Sequence, residues 1–259
     1  MRDVLDEQLV RAVVGVQGAS LRLAYVLDRF AVVPIEHLAL ALDRVAMRAE
    51  QGDDLAKEAL LAVASALGSG RADDAVQRLR EEVAGASLLN LERFLRVPPA
   101  SHRPRESTKP PRPPDYGFGR PLTLGERKSL ARRHDRDLLE KLLGDPHPDV
   151  IRGLLRNPRL TEDDLVRLAA RRPSLPEILA EIARSPRWSQ RPRVRLTLLL
   201  NPDVPLEIAT PFAGLLLRHE LRLVARATHV PPALRALCME HLSRKYPHDL
   251  DGDDDGPLQ

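Results

Sequence analysis

Arginine is the most abundant residue type in this chain that could recognise a ligand. Of the 40 basic residues, 35 are arginine, and two dense groups lie in the second half of the sequence, the later one beside the only tryptophan. Guanidinium groups bind carboxylates and phosphates through paired hydrogen bonds, and a tryptophan can anchor an interface. The predicted partner-binding site therefore consists of seven side chains: Arg152, Arg156, Arg159, Trp188, Arg191, Arg193 and Arg195.

A second interpretation of these arginines competes with the first. Acidic residues in the same segment could balance them, which would make the surface an ordinary solvated face; these are Glu162, Asp163, Asp164, Glu177 and Glu181. Against this, Arg152 and Arg195 occupy nearly equivalent positions in two similar stretches. Stacking of those stretches would align the two side chains in a basic ridge.

Residues that could carry out a reaction do not occur at catalytic spacing. His219 is followed by Glu220, but the second histidine of a zinc-binding His-Glu-x-x-His helix is absent. No Gly-x-Ser-x-Gly or Walker-type loop is present. The single cysteine, Cys238, lies in a helical-looking run, where a free thiol packs as a small apolar side chain. We therefore expect neither an enzyme nor a bound cofactor or metal.

The last residues have the opening pattern of a calcium loop. Residues 251–256 read Asp-x-Asp-x-Asp-Gly, but such a loop needs a glutamate six positions after the glycine, and the sequence ends at Gln259. With five aspartates and no basic residue, 246–259 is predicted to be a disordered acidic tail.

Charge and composition narrow the classes of function and partner that fit this chain. Residues 120–245 carry 24 basic and 15 acidic side chains, whereas residues 1–96 carry 12 and 15. Aromatic residues make up 3% of the chain, which disfavours a nucleic-acid surface that stacks bases on rings. The acidic N-terminus and the lack of a long apolar stretch predict no membrane contact and a cytoplasmic location. The bias to Arg, Ala, Leu and Pro is typical of a GC-rich bacterial genome.

Helical periodicity dominates residues 1–96. Apolar residues recur at helical spacing, and breaks fall at Gly18, at Val33-Pro34, at 51–53 and at 68–71. Five or six alanine-rich helices result, which predicts a helical bundle domain. A dimerisation module is the alternative.

The composition changes abruptly at residues 97–121. Eight prolines in 25 residues predict a semi-rigid, extended linker. The stretch 109–114 also has the spacing of an SH3 ligand, although a simple spacer is the favoured interpretation. Tyr116 and Phe118 are predicted to dock the end of the linker onto a domain.

From residue 122 to 245, prolines recur at intervals that each hold one short helix and a turn. Capping boxes are predicted for three helix starts, at Thr123 with Glu126, Thr161 with Asp164, and Ser174 with Glu177. In addition, 150–158 matches 194–202 at an offset of 44 residues, at the initial valine and at the terminal Asn-Pro. A period of this length is typical of HEAT arrays.

The run 145–169 resembles the bacterial leucine-rich-repeat variant, a HEAT-like helical repeat. The matching features are an aspartate before the first helix, a valine near its start, Asn-Pro at its end and a second Leu-x-x-Leu-Ala helix, and residues 145–210 carry the resemblance. Membership would imply an α-helical solenoid without catalytic residues. The predicted fold is all-α: an N-terminal bundle, a proline-rich linker and a C-terminal HEAT-like solenoid at 122–245.

These observations favour a non-enzymatic adaptor whose repeat surface binds a protein partner with an acidic surface. The alternative is sequence-nonspecific nucleic-acid binding through phosphate contacts on the basic face. A regulatory or chaperone-like partner of an enzyme cannot be separated from the adaptor by sequence.

Overall fold

The computed structural model describes residues 5–96 and 112–243, and helix is the only regular secondary structure in those two ranges. The all-α prediction is confirmed. The helices are α1 (Leu5–Gly15), α2 (Ala19–Val32), α3 (Ile35–Glu50), α4 (Asp54–Leu67), α5 (Asp73–Ala86), α6 (Leu89–Leu95), α7 (Leu124–Leu130), α8 (Arg136–Leu142), α9 (Pro148–Leu154), α10 (Glu162–Ala170), α11 (Pro176–Arg184), α12 (Pro186–Ser189), α13 (Pro192–Leu199), α14 (Leu206–Ala213), α15 (Arg218–Arg226) and α16 (Pro232–Ser243). Within the described ranges, none of these helices combines the length and the apolar character needed to cross a bilayer.

The first six helices pack around α3 and α4. Helix α3 contacts α1, α4, α5 and α6, and α4 also contacts α1 and α2. Small side chains such as Ala39, Ala56 and Ala59 are fully buried along these two helices, which lets the helix backbones approach closely. Asp43 of α3 accepts hydrogen bonds from the amides of Asn90 and Leu91 and so caps the start of α6.

Two of the three predicted capping boxes are present in the second half. Thr123 with Glu126 begins α7, and Thr161 with Asp164 begins α10. The third prediction is wrong. Helix α11 begins at Pro176, without a side-chain cap, and the amide of Ser174 instead donates to Asp203 at 2.8 Å.

Asp164 shows how these caps are tied to other helices. Its side chain is fully buried, and both carboxylate oxygens accept hydrogen bonds from Arg136 at 2.6 Å. Hydrogen bonds from Arg136 and Thr161 hold the pKa of Asp164 well below its usual range. A carboxylate of α10 is therefore bound to the guanidinium at the start of α8.

The 44-residue offset corresponds to a repeated buried contact. The Asn157 side-chain amide donates to the carbonyls of Ala131 and Arg133, just past the end of α7. Asn201 donates to the carbonyls of Ala169 and Arg171, at the end of α10. Each asparagine also accepts from the amide two residues later. The two Asn-Pro sites thus satisfy the exposed carbonyls of an earlier helix in the same way.

The predicted linker and tail fall largely outside the described residues, which exclude 97–111 and 244–259. The described end of the linker contacts the second half at Pro114, which lies beside Gly144, and at Tyr116. Tyr116 is buried and its hydroxyl donates to Asp145 at 2.5 Å, whereas Phe118 is half exposed. Of the two aromatic residues predicted to dock, Tyr116 therefore does so.

The two helical halves share one continuous apolar core. Helices α11, α12 and α14 contact α4, α12 also contacts α2, and α14 also contacts α6. At this boundary the buried hydroxyls of Ser65 and Ser189 lie 3.2 Å apart, and Arg96 pairs with Glu240 at 2.8 Å. The division into separate domains stays a prediction, but the halves are in direct contact.

His241 is buried at the same boundary. A Cβ atom added to Gly214 would lie 3.6 Å from the Phe94 ring and 3.7 Å from the His241 ring, so these rings flank that glycine. Within the described ranges, neither ring nitrogen of His241 has a hydrogen-bond partner. Burial lowers the pKa of His241 to about 4, with Glu240 opposing this shift and Arg93 and Arg96 adding to it.

This burial predicts a pH-dependent stability. The buried neutral imidazole contributes fully to the free energy of unfolding above the unfolded pKa of about 6.5. This contribution is lost as the pH falls toward 4, because the unfolded chain then binds a proton that the folded chain excludes. The free energy of unfolding should fall by up to about 3 kcal/mol over this range. Urea unfolding at several pH values measures it.

Two variants isolate the contribution of His241 from those of the other histidines. His241→Leu should flatten the pH dependence between 6.5 and 4, whereas His219→Gln, at an exposed histidine, should leave it unchanged. An unaltered slope in His241→Leu would contradict the assignment.

Candidate functional site

A recess lined mainly by arginine lies between the two halves. Two adjoining hollows, of about 590 and 500 Å³, share Ser20 and Arg187 as walls. We call them the large and small lobes of the arginine cleft. Helix α2 and the turn after α4 form one side, and residues of α9, α11 and α12 form the other. Six arginines line the cleft: Arg71, Arg152, Arg156, Arg184, Arg187 and Arg191.

Trp188 positions the central arginine of the cleft. Only 3% of this tryptophan is exposed, and its indole N–H donates to the carbonyl of Leu155 at 2.8 Å. The guanidinium of Arg187 lies over the ring, 4.4 Å from its centroid, and donates to the carbonyl of Asn157 at 3.0 Å. A cation–π contact and a carbonyl thus orient Arg187 without neutralising its charge.

One carboxylate, Glu181, lies in the wall of the large lobe and is fully paired. Its two oxygens accept from Nε and Nη2 of Arg152, each at 2.7 Å, and Arg184 lies 3.3 Å away. The hydrogen bond to Glu181 raises the pKa of Arg152. Arg184 also donates to the carbonyl of Gly68 at 2.9 Å and so bridges the two halves. These two arginines are structural members of the cleft.

The remaining arginines keep their charge available. Arg71, Arg156 and Arg191 are exposed, and their side chains form no ion pair or hydrogen bond with any residue in the described ranges. Arg187 contacts carbonyls and a ring but no carboxylate there. Four guanidinium groups without a carboxylate partner therefore face one recess.

The seven residues predicted from sequence separate into three groups. Arg152 and Arg156 line the large lobe, and Arg191 lines the small lobe. Arg159 and Arg193 are exposed outside both lobes, and Arg193 pairs with Asp163 at 3.0 Å. The last two, Trp188 and Arg195, are buried.

Trp188 and Arg195 are both buried, so neither presents its side chain at the surface of the cleft. Trp188 belongs to the core beneath the cleft, where its N–H donates to the Leu155 carbonyl. Arg195 is 9% exposed and donates to the carbonyls of Ser189 and Gln190, at the end of α12. Burial lowers the pKa of Arg195, and the charge of Glu220 opposes that shift. A surface ridge that includes both Arg152 and Arg195 is therefore not formed.

Arg71, Arg184 and Arg187 were outside the predicted site. Arg184 and Arg187 lie in the arginine-rich stretch before Arg191, so composition could have included them. Arg71 lies in the acidic first half, after α4, and the packing of α4 against α11, α12 and α14 brings it to the cleft. No local sequence signal marks it.

A metal site and a reactive cysteine are the other kinds of site considered for the described residues. The described residues contain no group of three or more His, Cys, Asp or Glu side chains placed to hold a metal ion. Cys238 is fully buried, and burial raises the pKa of its thiol to about 12. The chain matches no family model, no curated protein and no solved structure.

The role of Trp188 leads to a stability prediction. Trp188→Phe keeps an aromatic ring beneath Arg187 but leaves the buried carbonyl of Leu155 without its donor. Loss of such a partner costs about 1–3 kcal/mol, and urea unfolding followed by circular dichroism measures it. Phe118→Leu, a change at a half-exposed aromatic residue, serves as the control and should alter stability by less than about 0.5 kcal/mol. Equal stability of wild type and Trp188→Phe would show that the hydrogen bond is dispensable.

Proposed function

We propose that this protein is a non-enzymatic adaptor that binds an acidic segment of a partner protein in the arginine cleft. The observation that carries the proposal is the convergence of Arg71, Arg156, Arg187 and Arg191 on one recess without a carboxylate partner in the described residues. Elsewhere in the second half, arginines such as Arg127 and Arg136 pair with buried carboxylates. Unpaired guanidinium groups in a recess favour an anionic ligand.

The dimensions and lining of the cleft favour a protein ligand over nucleic acid. Lobes of about 590 and 500 Å³ suit a few side chains each. In the part of the chain that the structure describes, neither lobe is lined by an aromatic residue on which a base could stack, and the single tryptophan is buried. Acidic side chains on an extended segment need only the charge and donors that the arginines supply.

The finer features of the adaptor belong to the same proposal. Residues 122–245 would act as a HEAT-like repeat scaffold in the cytoplasm of a bacterium, and the first half would complete the cleft from the opposite side. Support for the scaffold comes from the matching contacts of Asn157 and Asn201. Support for the role of the first half comes from Ser20 and Arg71 in the cleft wall.

Charge reversal tests the proposal. Arg71→Glu combined with Arg156→Glu places two acids in the large lobe, so affinity for a fluorescein-labelled octaglutamate peptide should fall at least about tenfold, equivalent to about 1.4 kcal/mol. Fluorescence anisotropy at about 0.1 M salt measures this. Wild-type binding should also weaken as salt is raised, because the contacts are between exposed charges.

The matched control is Arg159→Glu combined with Arg193→Glu. It makes the same change in net charge at exposed arginines outside the cleft and should alter the affinity by less than about threefold. Equal losses in the two double variants would refute a cleft-specific site. Tighter binding of duplex DNA than of the peptide, lost in the cleft variant, would favour the nucleic-acid alternative.

A further inference from the structure

The small lobe differs from the large lobe in the groups that it presents. Among the described residues that line it, the polar side chains are Ser20, Arg187, Gln190 and Arg191, and none is a carboxylate. Every one of these side chains can donate a hydrogen bond, and the two arginines can only donate. The large lobe instead contains Glu181, which is already paired. In the small lobe, therefore, no carboxylate of the described lining offsets the charge of the arginines.

From this arrangement we infer that the small lobe binds a phosphate monoester, carried as a phosphoserine or phosphothreonine on the acidic segment of the partner. The inference rests on the proposed function, because it names the chemical group that the same cleft recognises. The pair Arg187 and Arg191 carries it. Both are exposed on one short stretch of chain, and neither has a carboxylate partner in the described residues.

Charge and donor number favour phosphate over a carboxylate. A phosphoserine has a charge of about −1.5 to −2 and three acceptor oxygens, whereas a glutamate has one charge and two oxygens. Two guanidinium groups with a hydroxyl and an amide side chain offer more donors than one carboxylate can accept. Arginine also binds phosphate through two parallel hydrogen bonds. One dianion matches the two unpaired charges of this lobe.

Arg187 is held ready for such a ligand. Its guanidinium is fixed over the Trp188 ring and by the Asn157 carbonyl, so little side-chain freedom is lost on binding. The opposite wall is the first turn of α2, which Gly18 leaves without a side-chain cap. The amides of Leu21 and Arg22 donate to the Gly18 carbonyl, so Ala19 and Ser20 supply the remaining backbone donors of this turn.

A monoester on a protein is favoured over the diester of a nucleic acid. A backbone diester carries one charge and presents two free oxygens, which leaves one guanidinium of the pair unmatched. No aromatic residue lines the lobe to receive the adjoining base. Binding of duplex DNA is therefore treated as an outcome of the test.

The single tryptophan of the chain provides the readout. Because Arg187 lies 4.4 Å from the centre of the Trp188 ring, an anion bound to Arg187 changes the surroundings of that ring. The full chain is titrated with N-acetyl-phosphoserine methylamide and, separately, with N-acetyl-glutamate methylamide at constant ionic strength. Tryptophan emission and titration calorimetry are recorded on the same samples.

The phosphoserine compound should bind with at least about fivefold higher affinity than the glutamate compound. Arg191→Ala should weaken phosphoserine binding about tenfold, since it removes one charge-assisted contact. Arg193→Ala, two residues later and outside the lobe, should change it by less than about twofold. Both arginines are exposed, so neither change disturbs the core.

Four results would overturn the inference. The first is equal affinity for the two compounds, and the second is unchanged phosphoserine binding in Arg191→Ala. The third is the absence of both an emission change and binding heat. If octaglutamate still binds in an Arg71- and Arg156-dependent manner, the proposed function stands without the phosphate site; if it does not, both fail. A duplex DNA that displaces the phosphoserine compound and binds more tightly than a phosphopeptide would also overturn it.

Discussion

The need to satisfy buried helix ends is the constraint on which this structure depends. Every α-helix leaves four amides and four carbonyls without partners in the helix, and the described helices are 4 to 16 residues long. Many of these ends lie inside the packed structure, where an unpaired backbone group is costly. Side chains from other helices and from turns supply the partners. Asn157 and Asn201 bind the carbonyls that end α7 and α10, Trp188 binds the carbonyl of Leu155, and Asp43 binds the amides that begin α6.

The same constraint determines which arginines remain for a ligand. Arg195 donates hydrogen bonds to the carbonyls that end α12, and Arg136 donates to the carboxylate that caps α10. Arg152 is paired with Glu181. The arginine cleft opens where α2 and the turn after α4 meet α9 and α12, and there Arg71, Arg156 and Arg191 have no helix end or carboxylate to satisfy in the described residues. The proposed binding site is thus a recess where several arginines that the fold does not use lie close together.

Local sequence signals predicted those features that depend on local geometry. The all-α class followed from apolar periodicity, two capping boxes from the spacing of threonine and an acid, and the equivalent asparagines from the 44-residue match. The third capping box failed because Asp203, 29 residues away, binds the Ser174 amide. The burial of Trp188 and Arg195 could not be predicted from the sequence, because it depends on which carbonyls lie next to them after folding. Arg71 was missed because only the contact between the halves brings it to the cleft.

The central claim is that the arginines of the cleft that lack a carboxylate partner form the binding site. The arginine-rich composition as a whole does not. The most direct measurement is a heteronuclear NMR spectrum of the arginine Nε–Hε groups, recorded during titration with the octaglutamate peptide. The account predicts that Arg71, Arg156, Arg187 and Arg191 shift together and saturate, while Arg127 and Arg136, which pair with fully buried carboxylates, do not shift. Small shifts spread evenly over all exposed arginines, including Arg159 and Arg193, would contradict it.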